Sequence, residues 1–255
     1  DVLISFSSPY SAQVSKIINK PHLCFNDTEH TDKTHKIFTY PFSKYIFTPK
    51  CYYNSLGIKH KFIESTMENF YLSKRYFNPD IKIFDHLGIS KSQNYVFLRF
   101  VSWKAHHDIG QYGIDQETKY KIIDLLSKKY KVYISSEYEL SDDLKKYEVN
   151  IPIHMIHSML YYSKLFIGES ATMAAESSFL GVFSIYTNSL PLMSYLRLYQ
   201  NEGLLVHVKK SNILLDYVKR FLNEKHINRK KKQDKNNYDP NLYISNFLQK
   251  NISSE

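Results

Sequence analysis

Residues 164–186 read KLFIGESATMAAESSFLGVFSIY, and this stretch decides the predicted fold. KLFIG (164–168) is an apolar run of strand length, TMAAESSFLG (172–181) has the pattern of a helix closed by glycine, and VFSIY (182–186) is a second apolar run. Strands that are apolar throughout, rather than alternating with polar residues, are typical of a parallel sheet covered by helices on both faces. The stretch therefore predicts a strand–helix–strand unit of an α/β protein.

The same alternation is found before this stretch. Apolar runs of strand length occur at VLISF (2–6), HLCFN (22–26), YIFT (45–48), KFIES (61–65), YVFLRF (95–100) and KVYISS (131–136). Helical patterns occur at ETKYKIIDLLSKKY (117–130) and HMIHSMLYYS (154–163). Residues 78–94 carry turn signals and charge, which indicates a passage between two domains. The pattern predicts two Rossmann-like domains, each a doubly wound parallel sheet.

The two predicted domains are unequal. We expect the first at residues 1–80, the second at residues 81–224, and a basic linker with a C-terminal helix at residues 225–255. The first domain has about four recognisable strands, where a complete doubly wound domain has about six. Its first strand, VLISF, is apolar throughout, so we expect it to be buried on both faces. The sequence therefore predicts that the first domain is incomplete and that an N-terminal section precedes it.

The net charge of +9 does not by itself indicate an anionic partner. Much of the charge lies in KHINRKKKQDK (225–235), outside the periodic segments. A solvated linker is the simpler interpretation of this segment, and peripheral contact with acidic lipid headgroups is the alternative. Basic and aromatic residues are not interleaved as in nucleic-acid-binding proteins, so we expect no nucleic-acid partner.

The cysteines and the apolar runs bear on the compartment. Cys24 and Cys51 provide neither a disulfide framework nor a CxxC pair, which fits a reducing environment. No apolar run approaches the roughly 20 residues of a membrane span, and the first residues lack the basic start of a secretory signal. We expect a cytoplasmic protein, associated with the inner face of the membrane if the basic segment contacts lipid.

IGESATMAAESSFLGV (167–182) carries the strongest local signal for a ligand. A strand ends at Gly168 and a helix begins near Thr172, so free backbone N–H groups and the positive end of a helix dipole are available to a phosphate or diphosphate. Ser170 and Thr172 add hydroxyl groups, and Glu176, one turn inside the helix, would accept hydrogen bonds from the two hydroxyls of a ribose. The alternative is an ordinary capped helix with a surface glutamate.

SWKAHHDIGQYG (102–113) follows the strand YVFLRF and has an equivalent position. Because ligands of doubly wound sheets bind at the carboxyl ends of strands, both loops are expected to open on the same crevice. His106 and His107 are sequence neighbours, which is not the spacing of a closed zinc site, and His154 and His157 have no carboxylate or cysteine near them in sequence. We expect no metal; phosphate contact or proton transfer by one of the two loop histidines is favoured.

FNDTEHTDKTH (25–35) comes directly after the second strand. Asp27, Glu29 and His30 combine carboxylates with an imidazole where catalytic groups often collect, so they form a plausible acid–base set. The alternative is an Asx-turn and helix cap, with Asp27 or Thr28 capping and Glu29 in the first turn.

Together these motifs resemble the DUF354 family, bacterial and archaeal proteins related to GT-B glycosyltransferases and to UDP-N-acetylglucosamine 2-epimerases. The resemblance rests on the three motifs and on SPYSAQVSKIINKP, YPFSKYIFTP and FYLSKRYFNPD, which match in order, and covers about residues 1–210. It implies a GT-B-like fold with two facing Rossmann-like domains, the second of which binds most of a sugar nucleotide. Phe183 stands where the family usually has proline, and Glu169 where it often has aspartate or a glycine-rich stretch.

The resemblance also implies roles for particular residues. Glu176 would hold the ribose, and Ser170, Ala171, Thr172 and Met173 would form the turn around the diphosphate. His107 resembles an active-site histidine of the epimerases, and Glu29 falls near a segment that supplies an acidic catalytic residue. The complete set of predicted site residues is Asp27, Glu29, His30 and His107 for catalysis, and Arg99, Trp103, His106, Asp108, Ser170, Ala171, Thr172, Met173 and Glu176 for substrate binding.

The favoured hypothesis is a metal-independent, cofactor-free GT-B glycosyltransferase that uses a nucleotide-diphosphate sugar, with a UDP-sugar expected, in surface polysaccharide or glycolipid synthesis. Arg99, His106 or His107 and the 170–173 turn would neutralise the leaving diphosphate. A group among Asp27, Glu29 and His30 would act as base on a saccharide or lipid-linked acceptor. The alternatives are a UDP-N-acetylglucosamine 2-epimerase-like enzyme and a non-catalytic nucleotide-sugar-binding protein.

Overall fold

A computed structural model describes residues 1–102, 113–223 and 237–252. These residues form an α/β protein with two parallel sheets, which confirms the predicted fold class. The chain divides into two compact units. The first comprises Asp1–Ser73, Met193–Leu198 and Asn236–Glu255, and the second comprises Lys74–Leu192 and Tyr199–Lys235.

Helices and strands are numbered in chain order. Up to residue 73 they are β1 (Leu3–Phe6), α1 (Pro9–Ile17), β2 (His22–Phe25), α2 (Asp32–Phe38), β3 (Tyr45–Pro49), β4 (His60–Ile63) and α3 (Asn69–Leu72). The next are α4 (Ile83–His86), β5 (Tyr95–Phe100), α5 (Gln116–Ser127), β6 (Lys131–Ser136), α6 (Asp142–Lys145), α7 (Ile156–Tyr162), β7 (Phe166–Gly168), α8 (Ala171–Phe179) and β8 (Ser184–Thr187). The remaining elements are α9 (Ser194–Asn201), β9 (Leu205–Val208), α10 (Ser211–Asn223) and α11 (Pro240–Asn251).

The first unit is built on a parallel sheet in the order β1-β2-β3-β4. Leu23, Phe47 and Ile63 of this sheet form a buried cluster with Ile244 of α11. Phe247 of α11 meets the ring of Phe47 edge to face, with the ring centroids 5.1 Å apart. The helix nearest the C-terminus therefore completes a core that the first residues of the chain begin.

Strand β1 differs from its prediction. Ile4 and Phe6 are 49% and 56% exposed, so the strand is not buried on both faces. Within the described residues it pairs with β2 alone and lies at the end of the sheet. An apolar run predicts a strand because its side chains pack well on a pleated, partly buried surface, but that tendency does not distinguish an edge strand from a central one.

The second unit has a parallel sheet in the order β6-β5-β7-β8-β9. Its first strand, β5, lies between β6 and β7, so the direction of winding reverses between β5 and β7. Helix α5 has Asp115 as its N-cap, and the Asp115 carboxylate accepts a hydrogen bond from the Thr118 backbone N–H (2.8 Å). The helix then buries Ile122 and Leu126 in the core. The sequence pattern at 117–130 correctly predicted a helix here.

No helix among the described residues combines the length and the apolar character that crossing a bilayer requires.

Candidate functional site

The site in the second unit lies where the winding of the sheet reverses, between the carboxyl ends of β5 and β7. Arg99 on β5 is in register with Gly168 on β7, and the backbone N–H of Glu169 donates to the carbonyl of Arg99 at 3.2 Å. A Cβ on residue 168 would lie 2.6 Å from Cζ of Phe166 and 3.0 Å from the Arg99 carbonyl oxygen, so only glycine permits this approach. Open α/β sheets bind their ligands at such reversal points.

Glu169 fastens the backbone at this place. Its carboxylate accepts hydrogen bonds from the backbone N–H of Val101 at 2.8 Å and from that of Ile114 at 2.6 Å, and the residue is 2% exposed. Val101 and Ile114 come before and after the loop that the sequence predicted to face the ligand. Trp103, His106, His107 and Asp108 of that loop lie outside the described residues, so their roles stay predictions.

Helix α8 begins beside this point. Ser170 is its N-cap and accepts a hydrogen bond from the Met173 backbone N–H at 3.4 Å. The backbone N–H of Ala174 bonds to the Ser170 carbonyl, so the N–H groups of Ala171 and Thr172 lie at the end of the helix before its first internal hydrogen bond. Thr172 is exposed. The predicted diphosphate turn is therefore also an ordinary helix cap, and the two functions are compatible.

Glu176 lies one turn further along α8 and is only 7% exposed. Its Oε1 is 3.1 Å from Nε2 of His157, which belongs to α7. The alternative of a surface glutamate is therefore wrong, because the side chain is buried and paired. From the sequence, we considered His157 only as a metal ligand. The contact with Glu176 was missed because the two residues are 19 positions apart in the chain.

Arg99 is held by side chains of its own unit. Its guanidinium donates to Oγ of Ser135 at 2.6 Å and to a carboxylate oxygen of Glu137 at 2.7 Å. Glu137 also accepts a hydrogen bond from the backbone N–H of Ser102 at 3.0 Å. The guanidinium thus supports the end of β5. To contact a diphosphate, as the sequence predicted, it would have to do so while keeping its hydrogen bonds to Ser135 and Glu137.

The predicted acid–base residues lie at the carboxyl end of β2 in the first unit. Glu29 is 4% exposed, and its Oε2 accepts from the Ser194 backbone N–H at 3.4 Å. Among the described residues Oε1 of Glu29 has no hydrogen-bond partner. Burial raises the pKa of Asp27 to about 6, a hydrogen bond from Thr28 opposes the rise, and the charge of Glu29 adds to it. His30, by contrast, is exposed.

The cap of this segment is not the one that the sequence indicated. Thr28 precedes the short 3-10 helix Glu29–Thr31 without a capping side-chain bond. It is Asn26 that forms the Asx-turn, by accepting a hydrogen bond from the Thr28 backbone N–H at 3.0 Å. Asp27 instead accepts from the Thr28 hydroxyl at 2.8 Å.

A second buried carboxylate in this unit belongs to a closed polar network. Asp32, 3% exposed, accepts hydrogen bonds from the hydroxyls of Tyr40 and Tyr52 and from the amide of Asn54. The amide of Asn26 in turn donates to both tyrosine hydroxyls. The sequence gives no sign of this network because its members are far apart in the chain. The network holds together the loops that follow β2 and β3.

Cys51, after β3, lies near Glu29. Burial raises the pKa of its thiol to about 11, with a hydrogen bond from Ser194 opposing the rise and the charge of Glu29 adding to it. The thiol is therefore protonated at neutral pH. Among the described residues, no three histidine, cysteine, aspartate or glutamate side chains gather in a way that would hold a metal ion.

Comparison with known families identifies the chain's relatives. The family model described as "Protein of unknown function (DUF354)" matches residues 1–245 of the 255. The chain belongs to the DUF354 family. This confirms the resemblance that the motifs indicated. No curated protein matches the DUF354 chain.

Solved structures share the fold of this DUF354 chain at low identity. The UDP-GlcNAc 2-epimerase of Methanocaldococcus jannaschii, in complex with UDP-GlcNAc and UDP, aligns with a TM-score of 0.66 at 14% identity, covering 98% of this chain and 76% of that one. The MnaA–UDP co-structure from S. aureus gives 0.65 at 8% identity, with 99% and 75% covered. The spinosyn rhamnosyltransferase SpnG complexed with thymidine diphosphate gives 0.51 at 10% identity, with 88% and 65% covered.

At these identities the similarity establishes the fold. The DUF354 chain has a GT-B-like fold, which it shares with UDP-GlcNAc 2-epimerases and with glycosyltransferases.

Proposed function

We propose that this chain is a GT-B-type glycosyltransferase that takes a nucleotide-diphosphate sugar, with a UDP-sugar as the expected donor. The observation that carries the proposal is the arrangement at the carboxyl end of β7. Gly168 allows the close approach of two strands, helix α8 begins at Ser170, and the buried carboxylate of Glu176 follows one turn later. This order suits a diphosphate followed by a ribose.

The start of α8 would bind the diphosphate. The backbone N–H groups of Ala171 and Thr172, the Ser170 and Thr172 hydroxyls and the helix dipole would all stabilise negative charge there. In a transfer reaction the diphosphate gains charge as the sugar leaves, so fixed donors of this kind lower the barrier. From the sequence, we expect His107 or His106 to add a cationic or proton-donating group, with Trp103 and Asp108 in the same loop.

Glu176 would hold the ribose. A carboxylate accepts hydrogen bonds from the two neighbouring hydroxyls of the sugar, and its burial strengthens them because water competes less. The donor would thus be bound within the second unit, with the diphosphate at Ser170–Met173 and the nucleoside towards Glu176.

The acid–base chemistry would come from the first unit. With a pKa raised to about 6, Asp27 is mostly ionised at neutral pH and is a stronger base than an ordinary aspartate. Glu29 is the alternative base, since its Oε1 has no partner among the described residues. Either would take the proton from an acceptor hydroxyl on a saccharide or lipid-linked acceptor. We place the reaction in surface polysaccharide or glycolipid synthesis.

An epimerase acting on a UDP-sugar is the second candidate, because Asp27 and Glu29 place two carboxylates at the carboxyl end of β2 and the charge of Glu29 contributes to the raised pKa of Asp27. Moving a proton to and from a sugar carbon needs an acid and a base, and two carboxyl groups are able to supply them.

Nucleotide binding followed by product analysis tests the proposal. Isothermal titration of UDP, GDP, dTDP and CMP should give binding of UDP, and Glu176→Ala should weaken that binding by about 10- to 100-fold. Absence of binding by every nucleotide would refute the donor site. With UDP-GlcNAc as the probe and no acceptor, formation of a 2-epimer would favour the epimerase. Binding without turnover under either condition, unaffected by Glu29→Gln, would indicate a non-catalytic protein.

A further inference from the structure

The amino end of the first sheet exposes several large apolar side chains. Strands β2, β3 and β4 are parallel, so the connections that lead into them meet at one end of the sheet. Ile17 at the end of α1 is 81% exposed, Phe38 at the end of α2 is 49% exposed, and Ile58, two residues before β4, is 96% exposed. Single exposed apolar residues are ordinary on a protein surface, but a group of them at one place marks an interaction site.

Hydrogen bonds join these connections into one surface. Nζ of Lys59 donates to the carbonyls of Tyr40 and Pro41 at 3.3 and 3.1 Å, which ties the residues before β4 to the turn before β3. The side-chain amide of Gln13 on α1 donates to the carbonyl of Phe38 at 3.2 Å. We call this face the amino-end surface, and its exposed apolar residues are Ile17, Ile18, Ile37, Phe38, Phe42 and Ile58.

The amino-end surface is basic. Residues 33–63 contain six lysines and no aspartate or glutamate, and residues 2–26 contain two lysines and likewise no acidic residue. The acidic residues between these ranges, Asp27, Glu29 and Asp32, follow the carboxyl end of β2, at the opposite end of the sheet. Asp1 lies 3.9 Å from Nζ of Lys20 and offsets part of the charge. The lysines in the last turns of α1 and α2 or just before β2, β3 and β4 are Lys16, Lys20, Lys36, Lys44 and Lys59.

The mixture of side chains determines what the surface fits. Aliphatic and aromatic side chains enter the boundary between headgroups and acyl chains of a bilayer, while neighbouring lysines contact the headgroup phosphates. A protein partner fits less well, because protein interfaces are depleted of lysine. A nucleic acid would bind the lysines but would leave the isoleucines in water. A bilayer that contains acidic lipid satisfies both kinds of side chain.

We propose that the amino-end surface docks the chain on bilayers that contain acidic phospholipid, with Ile17, Phe38 and Ile58 entering the headgroup region. The surface lies outside the proposed donor and acid–base sites, and the proposal does not depend on the proposed function. Strand β2 has four residues, so it separates the two ends of the sheet by about 13 Å. Asp27 and Glu29 thus lie at the end of the strands away from the bilayer.

Co-sedimentation with vesicles tests the proposal on the 255-residue chain. One set of vesicles is phosphatidylcholine alone, and the other contains about 30% of the acidic lipid phosphatidylglycerol. The apolar variant combines Ile17→Ser with Ile58→Ser. Its matched control is Ile153→Ser, at a residue of the second unit that is 90% exposed.

A charge variant makes the test independent of the apolar one. It combines Lys16→Gln with Lys36→Gln, both at exposed residues. Its control combines Lys209→Gln with Lys210→Gln, two exposed lysines of the second unit. Far-UV circular dichroism checks that each variant keeps the fold of the wild type.

We expect the wild type to bind acidic vesicles about 10-fold or more tightly than neutral ones, and about 1 M NaCl to weaken that binding. The apolar variant should bind acidic vesicles about 10-fold more weakly, because two isoleucines no longer leave water. The charge variant should bind them about 10-fold more weakly as well, since two cations near the headgroups are lost. Both controls should bind as the wild type does.

Three outcomes would overturn the proposal. The first is a wild type that does not bind acidic vesicles. The second is binding that the apolar and charge variants leave unchanged, which would assign the membrane contact to another part of the chain. The third is an apolar variant that turns a dimer into a monomer in analytical ultracentrifugation and binds vesicles normally, which would make the surface an interface between copies. Titration of UDP tests the proposed function separately.

Discussion

Replacing the buried Glu169 by glutamine should destabilise the second unit far more than the same replacement at the partly exposed Glu137. The carboxylate receives two backbone N–H groups, from Val101 and Ile114, in a fully buried place. Hydrogen bonds to a charged acceptor contribute about 1.5–3 kcal/mol each, and a buried N–H left without an acceptor costs about 1–3 kcal/mol. Glutamine keeps one acceptor oxygen but turns its amide N–H groups towards the other donor. We therefore expect Glu169→Gln to lower the free energy of unfolding by about 2–4 kcal/mol.

Glu137→Gln is the matched control. Glu137 also accepts a backbone N–H at the end of β5, from Ser102, but its side chain is 42% exposed. Water replaces what glutamine cannot accept, so the loss should be about 1 kcal/mol or less. The assay is urea unfolding followed by far-UV circular dichroism and by the fluorescence of Trp103, the one tryptophan in the sequence. If Glu169→Gln lowers the free energy of unfolding no more than Glu137→Gln does, then the hydrogen bonds of Glu169 to Val101 and Ile114 do not stabilise the unit as argued.

Three further outcomes follow from the geometry. Because the pKa of Asp27 is raised from 3.8 to about 6, its contribution to stability is complete below pH 4 and is lost as the pH rises through 6. Asp27→Asn should remove this pH dependence and raise the free energy of unfolding at pH 7.5 by up to about 3 kcal/mol. Urea unfolding at a series of pH values from 4 to 8 measures both effects. Gly168→Ala should lower the free energy of unfolding by about 1–3 kcal/mol, because its Cβ would contact Phe166 and the Arg99 carbonyl, and it should weaken UDP binding. In the control Gly57→Ala the added Cβ meets nothing within 4 Å, so only the positive φ should lower the free energy of unfolding, by about 1 kcal/mol, and UDP binding should be unchanged. With a thiol pKa of about 11, Cys51 should react with a thiol reagent at pH 8 roughly 100-fold more slowly in the native chain than in urea, and equal rates would contradict its burial.

Strands β5 to β8 of the second sheet could be predicted from the sequence because their signals are local. YVFLRF and KVYISS match β5 and β6 residue for residue, and glycine followed by a serine cap announced the start of α8. Apolar composition and capping residues act over a few neighbouring positions, so one sequence contains the information. The exposure of Ile4 and Phe6 was missed because it depends on what lies beside β1, which composition does not encode.

The contacts that shape the site could not be predicted, because each joins residues far apart in the chain. Glu169 reaches back 55 and 68 residues to Ile114 and Val101, and Glu176 meets a histidine on another helix. Asp32 satisfies tyrosines 8 and 20 residues away. A glutamate on its own in a sequence is equally consistent with a solvated side chain or a buried acceptor. Only the fold decides between them.

The packing of α11 on the first sheet has a consequence for biosynthesis. A ribosome makes residues 1–73 before α11, so their apolar cluster of Leu23, Phe47 and Ile63 lacks Ile244 until α11 emerges. The second unit, whose described elements lie between residues 74 and 223, can complete its sheet earlier. In the interval the first sheet presents an uncovered apolar face, the kind of surface that chaperones bind and that leads to aggregation. A stop codon after residue 223 would remove α11, so the apolar face of the first sheet would stay uncovered.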